Sequence, residues 1–541
     1  MYKKKSPCIL AIVAATFLLL AVFAPTAHAH GFGERYDLPL PLTYFVFAGA
    51  AAVVLSFVVV GMFVRGQHDG SGYPRLNLFR APVLQLILTG PVTWLLRAAS
   101  LFLFFLVIAT GLFGSERPVN NLTPTFVWII WWVGMGFVAS LLGNLWAVVN
   151  PWKILFGLAE SVFHRFNPEW ELTLGMDYAE RVGVWPSVAL FFAFVWVENA
   201  LPEAASPALL AWLIAAYSVV TLGGMYLFGK HQWLRHGEVF TVIYGFLSRF
   251  SITEVRANDS EVCGECAGPS CGPSMNSGRS SDGLRVSGES MDGGGCVDCY
   301  ECFEYAGDRE LNLRPPAIGL HSRGAMPAGL TALVLLVLST VTFDGFSDTP
   351  EWAAVLGWAL TQTPQLTSPY FNGLVIANTL GLALFPLAFA GVYWVFSALM
   401  LWVVERSGGE SPVATELMTA FVFSLVPIAL AYHFAHYLGF LLIQGQLIIP
   451  LASDPFGAGA NLFGTAGYVV NLTVTNARFI WIFAVISIVA GHIIAVYLAH
   501  LRANTIYGGG SVALKSQLPM LALMVIYTVA SLWIISRPIT E

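Results

Sequence analysis

Long apolar stretches separated by short polar segments dominate this chain. Ten stretches after residue 41 are long enough to cross a hydrocarbon core of about 30 Å, which takes about 20 helical residues. We predict spans at 42–64, 93–114, 125–149, 183–200, 208–229, 326–344, 374–404, 416–444, 477–501 and 518–536. The pattern therefore predicts an all-α fold, a polytopic transmembrane helix bundle of about 10 spans.

The first 29 residues have the pattern of a secretory signal peptide. Lys3, Lys4 and Lys5 precede an apolar segment at 9–23, and Ala27-His28-Ala29 is a small-residue cleavage site. We predict cleavage after Ala29, which makes His30 the mature N-terminus. An uncleaved first membrane helix is the alternative.

Composition supports a membrane protein and excludes a soluble enzyme. The chain is 57% hydrophobic and 11% charged, whereas soluble domains carry about 25% charged residues. With a net charge of −6 it lacks the basic character of a nucleic-acid-binding protein, so no nucleic acid is expected as a partner. The expected partner is the lipid bilayer, and the sequence names no protein partner.

The basic residues predict the orientation. Eighteen of the 26 Lys and Arg residues lie in alternate loops, nine of them between Lys230 and Arg323, and loops rich in these residues stay inside. We therefore expect a bacterial inner-membrane protein with both mature termini in the periplasm. Its parts are a first membrane half at 30–229 with five spans, a cytoplasmic Cys-rich loop at 230–325, and a second half at 326–541 with five spans.

Two inner segments, 151–166 and 238–251, place apolar residues at helical spacing and basic residues near their far ends. We predict helices lying in the inner interface, with simple extension of the preceding span as the alternative. The acids Asp344, Asp348 and Glu351 follow the predicted sixth span. They are expected in an outer loop, in contact with water.

Six cysteines are concentrated in the 230–325 loop, on either side of a Gly- and Ser-rich stretch. They are Cys263, Cys266, Cys271, Cys296, Cys299 and Cys302. In a reducing compartment, Cys-x-x-Cys pairs favour a metal over disulfides. Such pairs suit a tetrahedral zinc site, with an iron–sulfur cluster and redox-active thiols as alternatives. An inverted topology would favour disulfides.

Three histidines inside predicted spans are candidate catalytic residues. His433 and His436 lie at positions i and i+3 of the eighth span and so share a helix face, and His492 lies near the middle of the ninth. Imidazoles at this spacing suit zinc or copper. The alternatives are hydrogen bonding between helices and a proton or substrate relay.

The predicted N-terminus supplies another candidate ligand. The amine and imidazole of His30 can bind one metal ion, an arrangement that suits copper. The alternative is that His30 follows the cleavage site by chance. The next residues, including Leu38-Pro39-Leu40-Pro41, then form a rigid lead into the first span.

Four strings, HGFGERYDLPLPL, GNLWAVVNPW, CVDCYECF and AYHFAHYLGFLLIQGQ, resemble a bacterial family of polytopic membrane proteins named fenitrothion hydrolase. The resemblance covers most of the mature chain. It implies hydrolysis of an apolar organophosphorus ester, and it supplies no catalytic residues.

The chain itself is compatible with hydrolysis if a metal-bound hydroxide forms at the histidines. It has neither a His-Glu-x-x-His zinc helix nor a Gly-x-Ser-x-Gly elbow. A transporter or permease is an alternative, because Gln444, Gly445 and Gln446 are typical of a broken helix. A membrane metal-handling or electron-transfer protein is another.

Overall fold

The computed structural model describes residues 38–64, 73–264, 266, 296–321, 326–364, 372–409 and 413–540. Within them, ten helical segments are long and apolar enough to cross a membrane, which confirms the predicted bundle. Spans 1 to 10 are Leu42–Phe63, Pro82–Phe113, Leu122–Leu141, Glu180–Ala200, Pro207–Phe228, Ala328–Ser347, Gly373–Arg406, Ala414–Ser453, Ala477–Tyr507 and Gly510–Arg537. The predicted signal peptide lies outside the described residues.

Spans 6 and 8 form the centre of the bundle. In the most apolar part of each, 78% of the residues are buried, against 11% in span 1. Spans 8 and 9 pack very closely at Gly491, where an added Cβ would lie 2.4 Å from the Cβ of Ala431. Small residues allow such close approach between membrane helices.

Span 3 contains three helical segments of two kinds. An α-helical turn at Leu122–Pro124 leads into a π-helix at Thr125–Val133, and an α-helix at Gly134–Leu141 completes the span. The chain then turns at Gly143, whose φ of +135° favours glycine. Span 3 therefore ends at Leu141, whereas the span predicted from the sequence continued to residue 149.

Shorter helices connect the spans at Trp146–Val149, Pro151–Phe166, Lys230–His236, Val239–Leu247 and Pro350–Gln362. Helix Pro151–Phe166 agrees with the prediction and is capped by Asn150, whose Oδ1 accepts from the N–H groups of Trp152 and Lys153 at 3.0 and 3.1 Å. Helix Val239–Leu247 does not lie on the surface, because Phe240, Ile243 and most of its other apolar side chains are in the main core.

A small antiparallel sheet, which the sequence pattern did not indicate, stands at one end of the bundle. Its strands are β1 (Leu76–Asn77), β2 (Thr253–Ala257), β3 (Cys296–Val297) and β4 (Arg309–Leu313), in the order β1-β4-β2-β3. Together with helices Ser260–Gly264 and Tyr300–Tyr305 these strands form what we call the cysteine-rich domain.

A buried ion network holds the sheet together. The Glu254 carboxylate accepts from Arg256 Nε at 2.6 Å and from Arg314 Nη1 at 3.3 Å, and Arg314 also donates to Asp298 at 2.7 Å. The side chains of Glu254 and Arg314 are fully buried. Burial alone would raise the pKa of Glu254, but the bonds from Arg256 and Tyr73 outweigh it and lower that pKa. The network therefore keeps its charges paired.

Candidate metal centre and intramembrane polar cluster

The cysteine-rich domain brings five of the six predicted cysteines together. The Sγ atom of Cys299 lies 3.7 Å from that of Cys266 and 3.4 Å from that of Cys302, and Cys296 lies 3.5 Å from Cys302. The domain therefore supports the coarser prediction of a site that can hold a metal. Two groups of three sulfurs lie close enough together to bind one metal ion. The first is Cys263, Cys296 and Cys302, and the second is Cys266, Cys299 and Cys302.

Four of these residues are thiols: Cys263, Cys266, Cys299 and Cys302. Cys296, a predicted metal ligand, is disulfide-bonded, and its sulfur could bind a metal only after reduction of that bond, because the thiolate is the form that binds metals. The four thiols are two Cys-x-x-Cys pairs, a ligand pattern common at structural zinc sites. Cys271 and the candidate ligand His30 lie outside the described residues.

Strand pairing positions the two cysteine pairs. Ala257 of β2 lies opposite Cys296 of β3, so Cys296 lies at the end of β2 from which the segment with Cys263 and Cys266 continues. The Sγ atom of Cys302 lies 3.5 Å from that of Cys296, which places the second pair beside the same end of the sheet. On the β2 side, Asp259 Oδ1 accepts from the N–H of Val262 at 3.3 Å. The backbone N–H groups of Val262 and Gly307 lower the pKa of Asp259. This carboxylate fixes the turn that carries Cys263.

A cation lies directly beside the sulfur cluster. Arg235 Nη2 donates to Cys266 Sγ at 3.0 Å, and the same guanidinium is paired with Glu301 at 2.5 Å. The charge of Arg235 favours the thiolate form of Cys266, which is the form that binds metals, but the hydrogen bond with Cys299 and burial outweigh it and raise the pKa of Cys266. Because Arg235 belongs to helix Lys230–His236, it also joins the cluster to the end of span 5.

Helix Tyr300–Tyr305, which carries Cys302, is held against the membrane helices by ion pairs. Glu304 accepts from Arg97 of span 2 at 2.8 Å and from Lys153 of helix Pro151–Phe166 at 2.7 Å. Burial alone would raise the pKa of Glu304, but the two cations outweigh it and lower that pKa to about 2. The carboxylate is therefore ionised and anchors the cysteine-rich domain to the bundle.

The predicted histidine pair lies in the centre of the bundle, facing polar partners. His433 Nε2 donates to the carbonyl oxygen of Val133 at 3.3 Å, at the end of the π-helix of span 3. His436 Nε2 donates to Asp344 Oδ2 at 3.0 Å, and the Tyr437 hydroxyl donates to the same oxygen at 2.6 Å. The two histidines therefore have different hydrogen-bond partners: a backbone carbonyl for His433 and a carboxylate for His436.

His492 is not brought to this pair. Its Nδ1 donates to the carbonyl oxygen of Ile488 at 2.8 Å, and its ring lies 5.7 Å from that of Tyr527. In the part of the chain that the structure describes, each group of three or more residues that could hold a metal consists of cysteines. A shared metal site of His433, His436 and His492 therefore has no support from their positions.

Two acids belong to this cluster. From the sequence, Glu198 was placed at the outer end of the fourth span as a weak candidate. Asp344 was expected in an outer loop, and that prediction is wrong, because span 6 continues to Ser347. Glu198 of span 4 accepts from Trp132 Nε1 at 3.0 Å and interacts electrostatically with Asp344. An intramembrane acid near the end of a span is the signal that identifies such residues. This signal did not identify Asp344, because the predicted sixth span ended at that residue and the acid was assigned to the loop that follows.

Comparison of this chain with protein-family models, with curated proteins and with solved structures gives no match. What the protein does is therefore argued from its own residues.

Proposed function

We propose that this is a metal-handling integral membrane protein that binds one zinc ion in its cysteine-rich domain. The ligands are Cys263, Cys266, Cys299 and Cys302. The observation that carries the proposal is the convergence of Cys266, Cys299 and Cys302, with Cys299 Sγ 3.7 Å from Cys266 Sγ and 3.4 Å from Cys302 Sγ, beside the cation of Arg235. The sulfur of Cys263 lies within 4.8 Å of that of Cys302 and is the fourth proposed ligand. By the orientation predicted from basic residues, the zinc lies on the cytoplasmic side.

The sulfur spacing favours a single metal ion. Four thiolates at about 2.3 Å from a tetrahedral zinc lie about 3.8 Å from one another. The distances from Cys299 to Cys266 and to Cys302 are close to this value before any metal is added. An iron–sulfur cluster binds at most two of its four cysteines on one iron, whereas the sulfurs of Cys266, Cys299 and Cys302 all lie within 4.8 Å of one another. Zinc is therefore the better fit.

The expected role of the zinc is to close the domain and fix its position on the bundle. Cys302 and Glu304 belong to one short helix, and Glu304 is anchored by Arg97 and Lys153. A metal that binds Cys302 also restrains this helix, and through it the ends of the membrane helices. Hydrolysis of an apolar organophosphorus ester stays a prediction that rests on the family resemblance.

Metal analysis of the purified full-length protein tests the proposal. We expect one zinc per chain in the wild type and its loss in Cys299→Ser. Cys296→Ser is the matched control, because Cys296 lies beside the cluster but is not one of the four proposed ligands. Zinc loss in Cys296→Ser would contradict the proposal, because it would make zinc binding depend on Cys296, which is disulfide-bonded in the structure and is not one of the four thiols. Iron with inorganic sulfide in place of zinc would contradict the proposal.

A further inference from the structure

The two groups of sulfurs in the cysteine-rich domain share one residue. Cys302 belongs both to the group with Cys263 and Cys296 and to the group with Cys266 and Cys299. Its Sγ atom lies 3.5 Å from that of Cys296 and 3.4 Å from that of Cys299. Both distances are near the spacing of about 3.8 Å between sulfurs on one tetrahedral zinc. The sulfur of Cys302 therefore lies where it can bind one ion with each group.

A disulfide keeps the group of Cys263, Cys296 and Cys302 from holding an ion, because Cys296 is bonded to another sulfur and metals bind the thiolate. By the orientation predicted from basic residues, the domain faces the cytoplasm. Disulfides are rare there, and those that form are usually transient and take part in catalysis or redox sensing. We therefore expect the Cys296 disulfide to be reduced and re-formed. The single zinc bound by four thiols belongs to the disulfide form, which is the form obtained without a thiol reductant.

We propose that reduction of the Cys296 disulfide creates a second metal site, where a zinc ion binds Cys263, Cys296 and Cys302. The thiolate of Cys302 then bridges this ion and the first, which keeps Cys266 and Cys299. The second site depends on the proposed zinc site, because the two share Cys302. It makes the metal content of the domain depend on the redox state: a second zinc ion binds on reduction and leaves when the disulfide re-forms.

The reduction balances with a dithiol as the reductant. One thiolate of the dithiol attacks the disulfide to give a mixed disulfide, and its second thiolate displaces the protein sulfur and closes the dithiol's own disulfide. Two electrons pass to the protein, which gains two thiols, and the dithiol is oxidised. The thiol of Cys296 then releases its proton as it binds the metal.

Ligand number and charge both allow two ions in the reduced form. Cys263 changes partners without a long movement, since its sulfur already lies within 4.8 Å of those of Cys296 and Cys302. Each ion then has three sulfurs, one of them shared, and one position for a further donor. Four thiolates with one Zn²⁺ leave a double negative charge, whereas five thiolates with two Zn²⁺ leave a single one. The smaller charge favours the second ion, because Cys263, Cys296 and Cys302 are buried and buried charge is costly.

Zinc stoichiometry in the two redox states tests the proposal. Full-length protein in detergent micelles is used with and without dithiothreitol treatment. The reductant is removed under nitrogen, zinc is added, the excess is removed, and zinc and thiols are counted. Reduction should add two thiols per chain and raise the zinc content from one to two ions per chain. X-ray absorption should show backscattering from a second zinc in the reduced form only. The matched control, Cys296→Ser, should bind one zinc under both conditions.

Cys266→Ser gives a second readout that does not require two ions. Cys266 belongs to the first group only, so this variant should lose zinc in the disulfide form and regain one ion on reduction, at Cys263, Cys296 and Cys302. Failure to regain it would overturn the proposal.

Two results with the wild type would also overturn the second site and leave the first intact. One is a gain of two thiols with the zinc content still at one ion per chain, and the other is no gain of thiols on reduction. A gain of zinc by reduced Cys296→Ser would overturn it as well, because the new ligand would not be Cys296. Absence of zinc from the disulfide form would instead contradict the proposed function itself.

Discussion

Removing the Glu254 charge should open the sheet of the cysteine-rich domain. In Glu254→Gln, the guanidinium of Arg256 loses the Glu254 carboxylate, and Arg314 keeps the Asp298 carboxylate and its bonds to backbone carbonyl oxygens. Taking one partner from a buried ion pair costs about 3–5 kcal/mol, because the other charge stays buried without compensation. We expect the lower end of that range, since Arg256 also donates to the Tyr73 hydroxyl.

Amide hydrogen exchange in detergent micelles measures this effect locally. A loss of about 3 kcal/mol corresponds to exchange faster by about 100-fold in β2 and β4, with little change in spans 6 and 8. Glu310→Gln is the control, because Glu310 lies on the neighbouring strand and accepts one hydrogen bond, from Asn312 at 3.0 Å. If exchange in β2 of Glu254→Gln is less than about tenfold faster than in the wild type, the buried ion network does not hold the sheet closed. An equal change in Glu254→Gln and Glu310→Gln would contradict it in the same way.

The pH dependence of this effect has a definite sign. The pKa of Glu254 is lower in the folded protein than its ordinary value of 4.5. Its stabilising contribution is therefore present above that ordinary value and is lost as the pH falls through the folded pKa. We expect the difference between wild type and Glu254→Gln to be largest at neutral pH and to shrink in acid.

Three further variants test the centre of the bundle. Gly136→Ala places a Cβ 2.7 Å from His433 Nε2, so we expect a lower melting temperature, whereas Gly223→Ala, with open space around the glycine, should leave it unchanged. Tyr437→Phe removes the hydroxyl that donates to Asp344. It should cost about 1–3 kcal/mol in chemical unfolding; a free energy of unfolding equal to that of the wild type would show that this hydrogen bond adds no stability.

The membrane spans could be predicted from the sequence, because each span is a continuous apolar run of the length that a bilayer requires. The sheet was not predictable in the same way. β1 and β3 have two residues each, and β1 comes from the first loop while its partner β4 lies more than 200 residues later. Short strands paired across such distances leave no periodic pattern in the sequence.

For the candidate sites, the cysteine motif was visible because Cys-x-x-Cys is a local pattern. The intramembrane cluster depends instead on tertiary contacts. Asp344 and His436 are brought together by the packing of spans 6 and 8, and Tyr244 reaches a cavity beside Asp344, because helix Val239–Leu247 is buried in the core rather than lying in the interface. A hydrophobicity pattern cannot distinguish a helix that enters the core from one that lies on the membrane surface.

X-ray absorption at the zinc edge tests the central claim most directly. For the intact protein, we expect one zinc bound by four sulfur atoms at about 2.3 Å, unchanged in Cys296→Ser and absent in Cys299→Ser. A first shell that contains nitrogen or oxygen, or fewer than four sulfurs, would contradict the assignment of Cys263, Cys266, Cys299 and Cys302 as the ligands.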